Sequence, residues 1–420
     1  MSNNISSAKS DSFDKEYCES LNKLYNDNIM LHEIKWFLNT AYDWAYENEG
    51  AAPEVVLLGA SIPEELVIAS GAAPYWLIGG SLGSCAWSDD LVPRDTDPVS
   101  RSVAGYIKRP ESPDLSGSLF IIPLISDSMR KIAYDLKSEG RKVCLLDVPP
   151  DKNDSYAAKK YSSQLKAMCA EISKHTHSRV TRRSLVNAMK LVSQARTTMR
   201  RFLRISRSRP DIITDAARLF VLNSYYMTPD ADEWIYHTEC LIGELQHHVA
   251  ATAGRTKVSP SVMISGSPVL FPNYKIPFLV SDTGLSITEA VDSISMKSNV
   301  IYKRAALWGS RGRLIETIAS RFYRYDSSSA FVKNDALFEY VSWLVQNEKT
   351  DGVIYHVLKG QIEYDFELER FEEMLSGFGI PVFRLETDYQ YQDVEQLRIR
   401  MEAFSEMLTQ NRYREVRRAS

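Results

Sequence analysis

Cysteine is scarce. Five are scattered over 420 residues, at 18, 85, 144, 169 and 240, with no Cys-x-x-Cys pair. An odd, widely spaced set argues against a disulfide framework or a zinc site and points to a reducing, cytoplasmic location. Long apolar runs are also missing: no stretch approaches the roughly 20 residues that span a bilayer. Neither sign of charge dominates, since 54 acidic and 50 basic side chains leave a net charge of −4. Nothing in that balance suggests nucleic acid or an anionic membrane as a partner. The opening MSNNISSAKSDSFDKEY has no apolar core segment and reads as a frayed leader to the first helix.

What is present is an ordinary globular composition, 44% hydrophobic and 25% charged, over a length that implies more than one domain. Residues 15–48 alternate apolar and charged positions at helical spacing, and 1–48 reads as a helical N-terminal arm. Strand-like runs (VVLLG, PYWLIGGS, SLFIIPLIS, RKVCLLDVPP) then alternate with helical stretches over 49–150. Strand signals vanish over 151–256, a helical insert, and return over 257–420 at SPSVMISGSPVL, PFLVSD, DGVIYHV and GIPVFRLETDY. Strands alternating with helices predict an α/β fold of two doubly wound parallel sheets. The two α/β regions read as distant structural duplicates without a clean sequence repeat.

Ligands of open parallel sheets sit outside the carboxyl ends of the strands, which directs attention to four loops: GGSLGS (79–84), ISDSMRK (125–131), ISGSP (264–268) and KGQIEYD (359–365). GGSLGS can cradle a phosphate on backbone N–H groups, yet it lacks the P-loop lysine and the third glycine of a dinucleotide fingerprint; a plain tight loop is the other reading. Ser61 reads as a helix N-cap, with Pro63 in the first turn. Ser126 and Asp127 stand where a strand becomes a helix, so one caps and the other faces the crevice. Arginines at 179, 182, 183, 196, 200, 201, 204, 207 and 209 form a basic stretch, suited either to coenzyme A phosphates or an acidic partner, or to pairing with acids elsewhere in the chain. His175 and His177 have no cysteine or carboxylate at metal-ligand spacing. Gln361 stands at the mouth of the strand DGVIYHV, where an enzyme places a reactive side chain.

Five segments together carry a family resemblance: IPEELVIASGAAP (62–74), LLDVPPDK (145–152), MISGSPVLFPNYKIPFLV (263–280), TDGVIYHVLKG (350–360) and RLETDYQYQDVEQLRIRMEAF (384–404). The last is the most specific, through Glu386, Asp388, Tyr389, Gln396, Leu397, Arg398, Arg400, Glu402, Ala403 and Phe404. The chain resembles subunits of the 2-hydroxyacyl-CoA dehydratases and the related benzoyl-CoA reductases.

That resemblance implies two flavodoxin-like domains with helical additions, and three loop cysteines holding an iron–sulfur cluster at the crevice between them. It also implies an ATP-dependent activator protein that delivers an electron, and a ketyl radical route to loss of the substrate hydroxyl. Here the three cysteine positions fall on Asp97, Ser126 and Gln361, and amide and oxygen donors suit an iron–sulfur cluster poorly. The expectation is therefore a chain that binds no cofactor or metal of its own, with Cys85 the remaining thiolate candidate. It would pair, as a heterodimer, with a homologous subunit that bears the iron–sulfur cluster, or with a second copy of itself, and would line part of an acyl-CoA cleft. Asp97, Ser126 and Gln361 become a polar pocket, and Ser61, Glu65, Asp127 and Lys359 are the possible substrate-cleft residues; for Glu65, helix capping and packing compete with that role. The alternative is an acyl-CoA-binding or assembly protein without a redox role.

Overall fold

A computed structural model of the chain describes residues 2–46, 52–247 and 259–419. Two helices, α1 (Ser2–Asp27) and α2 (Ile34–Tyr46), come first. The expected frayed leader is instead part of α1, because Phe13 and Tyr17, one turn apart, both bury against the body of the protein. The expected boundaries at 48/49 and 256/257 lie outside the described residues.

The first sheet is built from β1 (Val55–Leu58), α3 (Glu65–Ile68), β2 (Pro74–Leu77), α4 (Leu82–Cys85), α5 (Pro98–Lys108), β3 (Leu119–Pro123), α6 (Asp127–Ser138) and β4 (Lys142–Leu146). Its strands are all parallel, in the order β2-β1-β3-β4. Four long helical elements follow: α7 (Ala157–His175), α8 (Arg182–Arg207), α9 (Asp215–Ser224) and α10 (Ala231–His247). A capping box starts α8, where Thr181 and Ser184 exchange side-chain to backbone hydrogen bonds.

The second sheet comprises β5 (Ser261–Gly266), α11 (Lys275–Asp282), β6 (Ser286–Val291), α12 (Arg311–Tyr325), α13 (Asp335–Asn347), β7 (Gly352–Leu358), α14 (Glu363–Ser376) and β8 (Val382–Thr387), and the long α15 (Val394–Ala419) ends the chain. Its parallel order, β6-β5-β7-β8, repeats that of the first sheet. The molecule is thus an α/β protein of two flavodoxin-like sheets, one topology used twice. One expected strand is wrong: PFLVSD lies in α11. A short apolar run does not distinguish a buried strand from a buried helix. Pro277 falls in the first helical turn, where its missing N–H costs nothing, and Gly284 (φ +75°) turns the chain into β6.

Alternation along the strands divides each sheet between two cores. Val55, Leu57, Leu119 and Ile121 face a large central core, while Val56, Leu58, Phe120 and Ile122 face a separate outer one. In the second sheet Val262, Ile264 and Ile354 join the same central core, and Met263, Val353, Tyr355 and Val357 face outward under α13 and α14. The helices α7–α10 contribute Tyr161, Phe202, Phe220 and Trp234 to that shared core. One apolar mass therefore holds both sheets, and the carboxyl ends of their strands meet along a seam.

The seam is tight at Gly80. This residue has φ +111°, and a Cβ placed on it would lie 2.1 Å from the main-chain oxygen of Phe271, in the other half of the molecule. Gly71, with φ +86°, has open space around it. Gly71→Ala should cost only the backbone strain, about 1 kcal/mol, and Gly80→Ala about 3 kcal/mol or more, because the halves must separate to admit the methyl group. Thermal melts of both variants check this; equal shifts would mean that the halves are not in register at this contact.

Candidate functional site

Two polar clusters occupy the seam. The first joins the loops after β2, β3, β5 and β7. Asp97 caps α5 by accepting from the Ser100 backbone N–H through Oδ1 (2.9 Å). The same oxygen accepts from Gln361 Nε2 (3.3 Å), and Oδ2 accepts from the Ser128 hydroxyl (3.2 Å). Gln361 Oε1 in turn accepts from Ser267 Oγ (2.7 Å), which also accepts the Leu358 N–H (3.0 Å). His356 anchors this end. A carbonyl only accepts, so its Nδ1 carries the proton donated to Ser267 O (2.9 Å), and Nε2 accepts from Thr387 Oγ1 (2.8 Å). Burial holds this imidazole neutral, pushing its pKa down to about 4.

Of the three positions singled out together in the sequence, Asp97 and Gln361 thus meet directly and Ser126 does not join them. The Ser126 hydroxyl accepts from Met129 N (3.1 Å) as the N-cap of α6, and Ser128, one position into the same helix, reaches Asp97 instead. Asp127 points fully into solvent and pairs with Arg130 (2.8 Å). Lys359 is exposed and pairs with Asp388 (3.1 Å). Cys85 is buried beside this cluster with Leu358 and Tyr389. Its thiol donates to Ser81 O (3.3 Å) and Pro98 O (3.5 Å), and burial pushes its pKa up to about 12.

An iron–sulfur cluster fits this place poorly. The donors are a carboxylate, an amide and hydroxyls already bonded to one another, and the nearby thiol is held protonated, whereas iron–sulfur clusters are held by thiolates. Among the described residues no three His, Cys, Asp or Glu side chains are placed to hold a metal ion.

The second cluster is deeper and charged. Ser61 is not the N-cap expected of it. The residue at the N-cap position of α3 is Glu64, and the Ser61 hydroxyl instead donates across the seam to Asp326 Oδ1 (3.1 Å). Asp326 also faces the Lys297 ammonium (3.3 Å), and its main-chain oxygen accepts from Lys152, whose pKa burial lowers to about 8. Lys297 sits over the Phe322 ring (3.9 Å) and is held below the ordinary lysine range by burial, against the pull of Asp326. Beside it Glu64 pairs with Arg196 of α8, both buried. Glu65 is 1% exposed. Its Oε1 accepts from the Tyr302 hydroxyl (2.6 Å), and its Oε2 finds no hydrogen-bond partner among the described residues; Tyr161 OH and Arg196 Nε nearby are likewise unmatched. Burial, reinforced by the Glu64 charge, raises the Glu65 carboxyl to about 7. Packing alone leaves half of this carboxylate unsatisfied, which costs free energy unless a ligand or water completes it. Lys297, Asp326 and Tyr302 were not legible in advance, because no local spacing links them to Ser61 or Glu65.

GGSLGS is a filled anion nest. Glu16 of α1 accepts from Ser81 Oγ (3.0 Å), Leu82 N (3.2 Å) and Gly83 N (3.0 Å), so the chain supplies its own carboxylate where a phosphate was one reading. Much of the basic stretch is also engaged internally: Arg196 by Glu64, Arg201 by Glu239, Arg207 by Glu289 and Glu348, and Arg209 by Asp211.

The Glu65 environment sets a sign for pH dependence. Its folded pKa, about 7, lies above the ordinary 4.5. The buried carboxyl is therefore tolerated best below pH 4.5 and weakens the fold progressively as pH rises to about 7. Glu65→Gln removes this titration. Its stability relative to the parent should improve between pH 5 and pH 8, by on the order of 1–3 kcal/mol. A pH-independent difference in denaturant melts would mean that Glu65 ionises normally.

A family model described as 2-hydroxyglutaryl-CoA dehydratase, D-component, matches residues 60–408, which include the first sheet from β2 onward, the whole second sheet, the helices between them and both polar clusters. The chain is 24% identical to the (R)-phenyllactyl-CoA dehydratase beta subunit of Clostridium sporogenes, covering 82% of this chain and 89% of that protein. It is 24% identical to the (R)-2-hydroxyglutaryl-CoA dehydratase subunit beta of Acidaminococcus fermentans (83% and 90%), and 20% identical to the lactoyl-CoA dehydratase subunit beta of Anaerotignum propionicum (86% and 94%). Matched over most of its length by one family model and by relatives of similar size, this chain belongs to the 2-hydroxyglutaryl-CoA dehydratase D-component family.

Proposed function

We propose that this chain is a subunit of a 2-hydroxyacyl-CoA dehydratase-type lyase, cytoplasmic, forming part of the acyl-CoA cleft and pairing as a heterodimer with a homologous subunit that carries the iron–sulfur cluster. The observation that carries the proposal is the clasp of Asp97, Gln361, Ser267 and Ser128. Loops at the carboxyl ends of the strands converge, as a ligand site of this fold requires, but they are tied by oxygen and amide groups instead of presenting thiolates. The scaffold is kept and the redox ligands are not, which suits the half of a pair that shapes the cleft while its partner carries the electrons.

Within that role the deeper cluster supplies the polar wall. Glu65, with its free Oε2 and a pKa near neutrality, is suited to hold or move a proton at a substrate hydroxyl. Lys297 and Arg196, each paired with a carboxylate, are the basic groups beside it. The acyl-CoA itself and an ATP-dependent activator protein complete the set of partners.

Iron and acid-labile sulfide are measured on the isolated chain after anaerobic reconstitution, and again after co-expression with a homologue that keeps three loop cysteines. The expected result is no stoichiometric iron in the isolated chain, and a complex whose iron belongs to the partner and whose dehydration of a 2-hydroxyacyl-CoA requires both chains. Stoichiometric iron in the isolated chain would overturn the cluster-free assignment. Full activity of the partner without this chain would favour the assembly-protein alternative.

A further inference from the structure

A cavity of about 570 Å3 lies at the opposite end of the first sheet from the seam, where β1 and β2 begin at Val55 and Pro74. The dehydratase reading makes no use of it. Its walls carry aromatic and acidic side chains among alanines and prolines. Trp36, Asp43 and Trp44 come from one face of α2, seven and eight residues apart, which are neighbouring positions on a helix surface two turns on. Glu54 and Tyr75 come from the strand starts, and Glu233 from the first turn of α10. Among the described lining residues there is no lysine, arginine or histidine. The basic groups beside Glu54 are turned to other work: His175 Nε2 meets the Glu54 main-chain oxygen (3.1 Å), and Lys142 meets His175 (3.3 Å).

The aromatic walls are fixed before any ligand arrives. The Trp36 ring stacks on His237 with centroids 4.0 Å apart and planes 11° from parallel, and His237 is itself held by the Glu33 carboxylate. Trp44 stacks on Tyr106 (4.9 Å, 21°) and lies 6.0 Å from Tyr75. Rigid indole rings attract cations through their π faces, and fixing them in advance removes an ordering cost from binding. Three carboxylates, with no base among the described lining residues, add long-range attraction for positive charge and repel phosphates and carboxylates. Coenzyme A, rich in phosphate, is the wrong sign for this cavity.

We propose that this cavity is a binding site for a small organic ammonium ion, a polyamine or an alkylated amine, with Trp36 and Trp44 as its walls and Asp43, Glu54 and Glu233 as its counter-charges. The site is independent of the seam and of the dehydratase reading.

Isothermal titration of the full chain with tetramethylammonium and with spermidine tests the proposal, with coenzyme A as the anionic probe. At least one cation should bind saturably at one site per chain, more weakly as salt is raised. In an Asp43→Asn, Glu233→Gln double variant, affinity should fall roughly tenfold or more while the melting temperature stays that of the parent. Trp36→Leu, which keeps every charge, should also weaken binding several-fold, which general attraction to an acidic surface would not show. Failure of both cations to bind, or undiminished binding in these variants, overturns the proposal, as does coenzyme A binding that the cations compete away.

Discussion

Asp326 is a buried carboxylate whose partners come from both halves of the molecule. It is 1% exposed, and its partners come from loops far apart in the chain: the Ser61 hydroxyl after β1, the Lys297 ammonium after β6, and Lys152 on its main-chain oxygen after β4. A buried carboxylate without such partners shifts its pKa or disrupts the fold. The two sheets must therefore close on each other with the carboxyl ends of their strands in contact. That requirement fixes the seam, places Glu65 and Arg196 beside it, and brings the Gln361 loop onto Asp97. The apolar core supplies most of the adhesion, but core contacts are permissive in direction, and the charged contacts select the one arrangement.

The architecture was legible because binary patterning and loop chemistry agree over most of the chain. The wholly buried runs VVLL, LFIIP and GVIYHVL could hardly be anything but interior parallel strands, and Thr181 and Ser126 announce helix starts that the structure contains. The exceptions have a common origin. PFLVSD is apolar enough for either element, and only Pro277 and Gly284 show how it is used. Ser61 carries the local signature of a cap, yet a carboxylate 265 residues away claims its hydroxyl. Tertiary partners override local propensity where polar groups are buried, and the site is where they are buried.

For the same reason the site was only half readable. Gln361 and Asp97 drew attention because they occupy loop mouths where the resemblance leads one to expect thiolates, and they do meet. Ser128 and Ser267, which complete their hydrogen bonds, are ordinary serines in sequence. Lys297, Tyr302 and Asp326 sit in segments with no motif at all. Relatives at 20–24% identity align over most of their length, and a pattern of apolar and polar positions conveys a fold more readily than the pairing of individual buried charges.

The nest occupied by Glu16 bears on how the chain reaches its native state. The helix α1 is made before everything it rests on. Its carboxylate is received by a loop 65 to 67 residues later, and Ser20 donates to the main-chain oxygen of Pro272, 252 residues further along. An element whose contacts are this distant in sequence gains little from forming early, since loop-closure entropy must be met before those contacts form. The helix α1 is thus among the last to dock, and it settles only when the second sheet is in place.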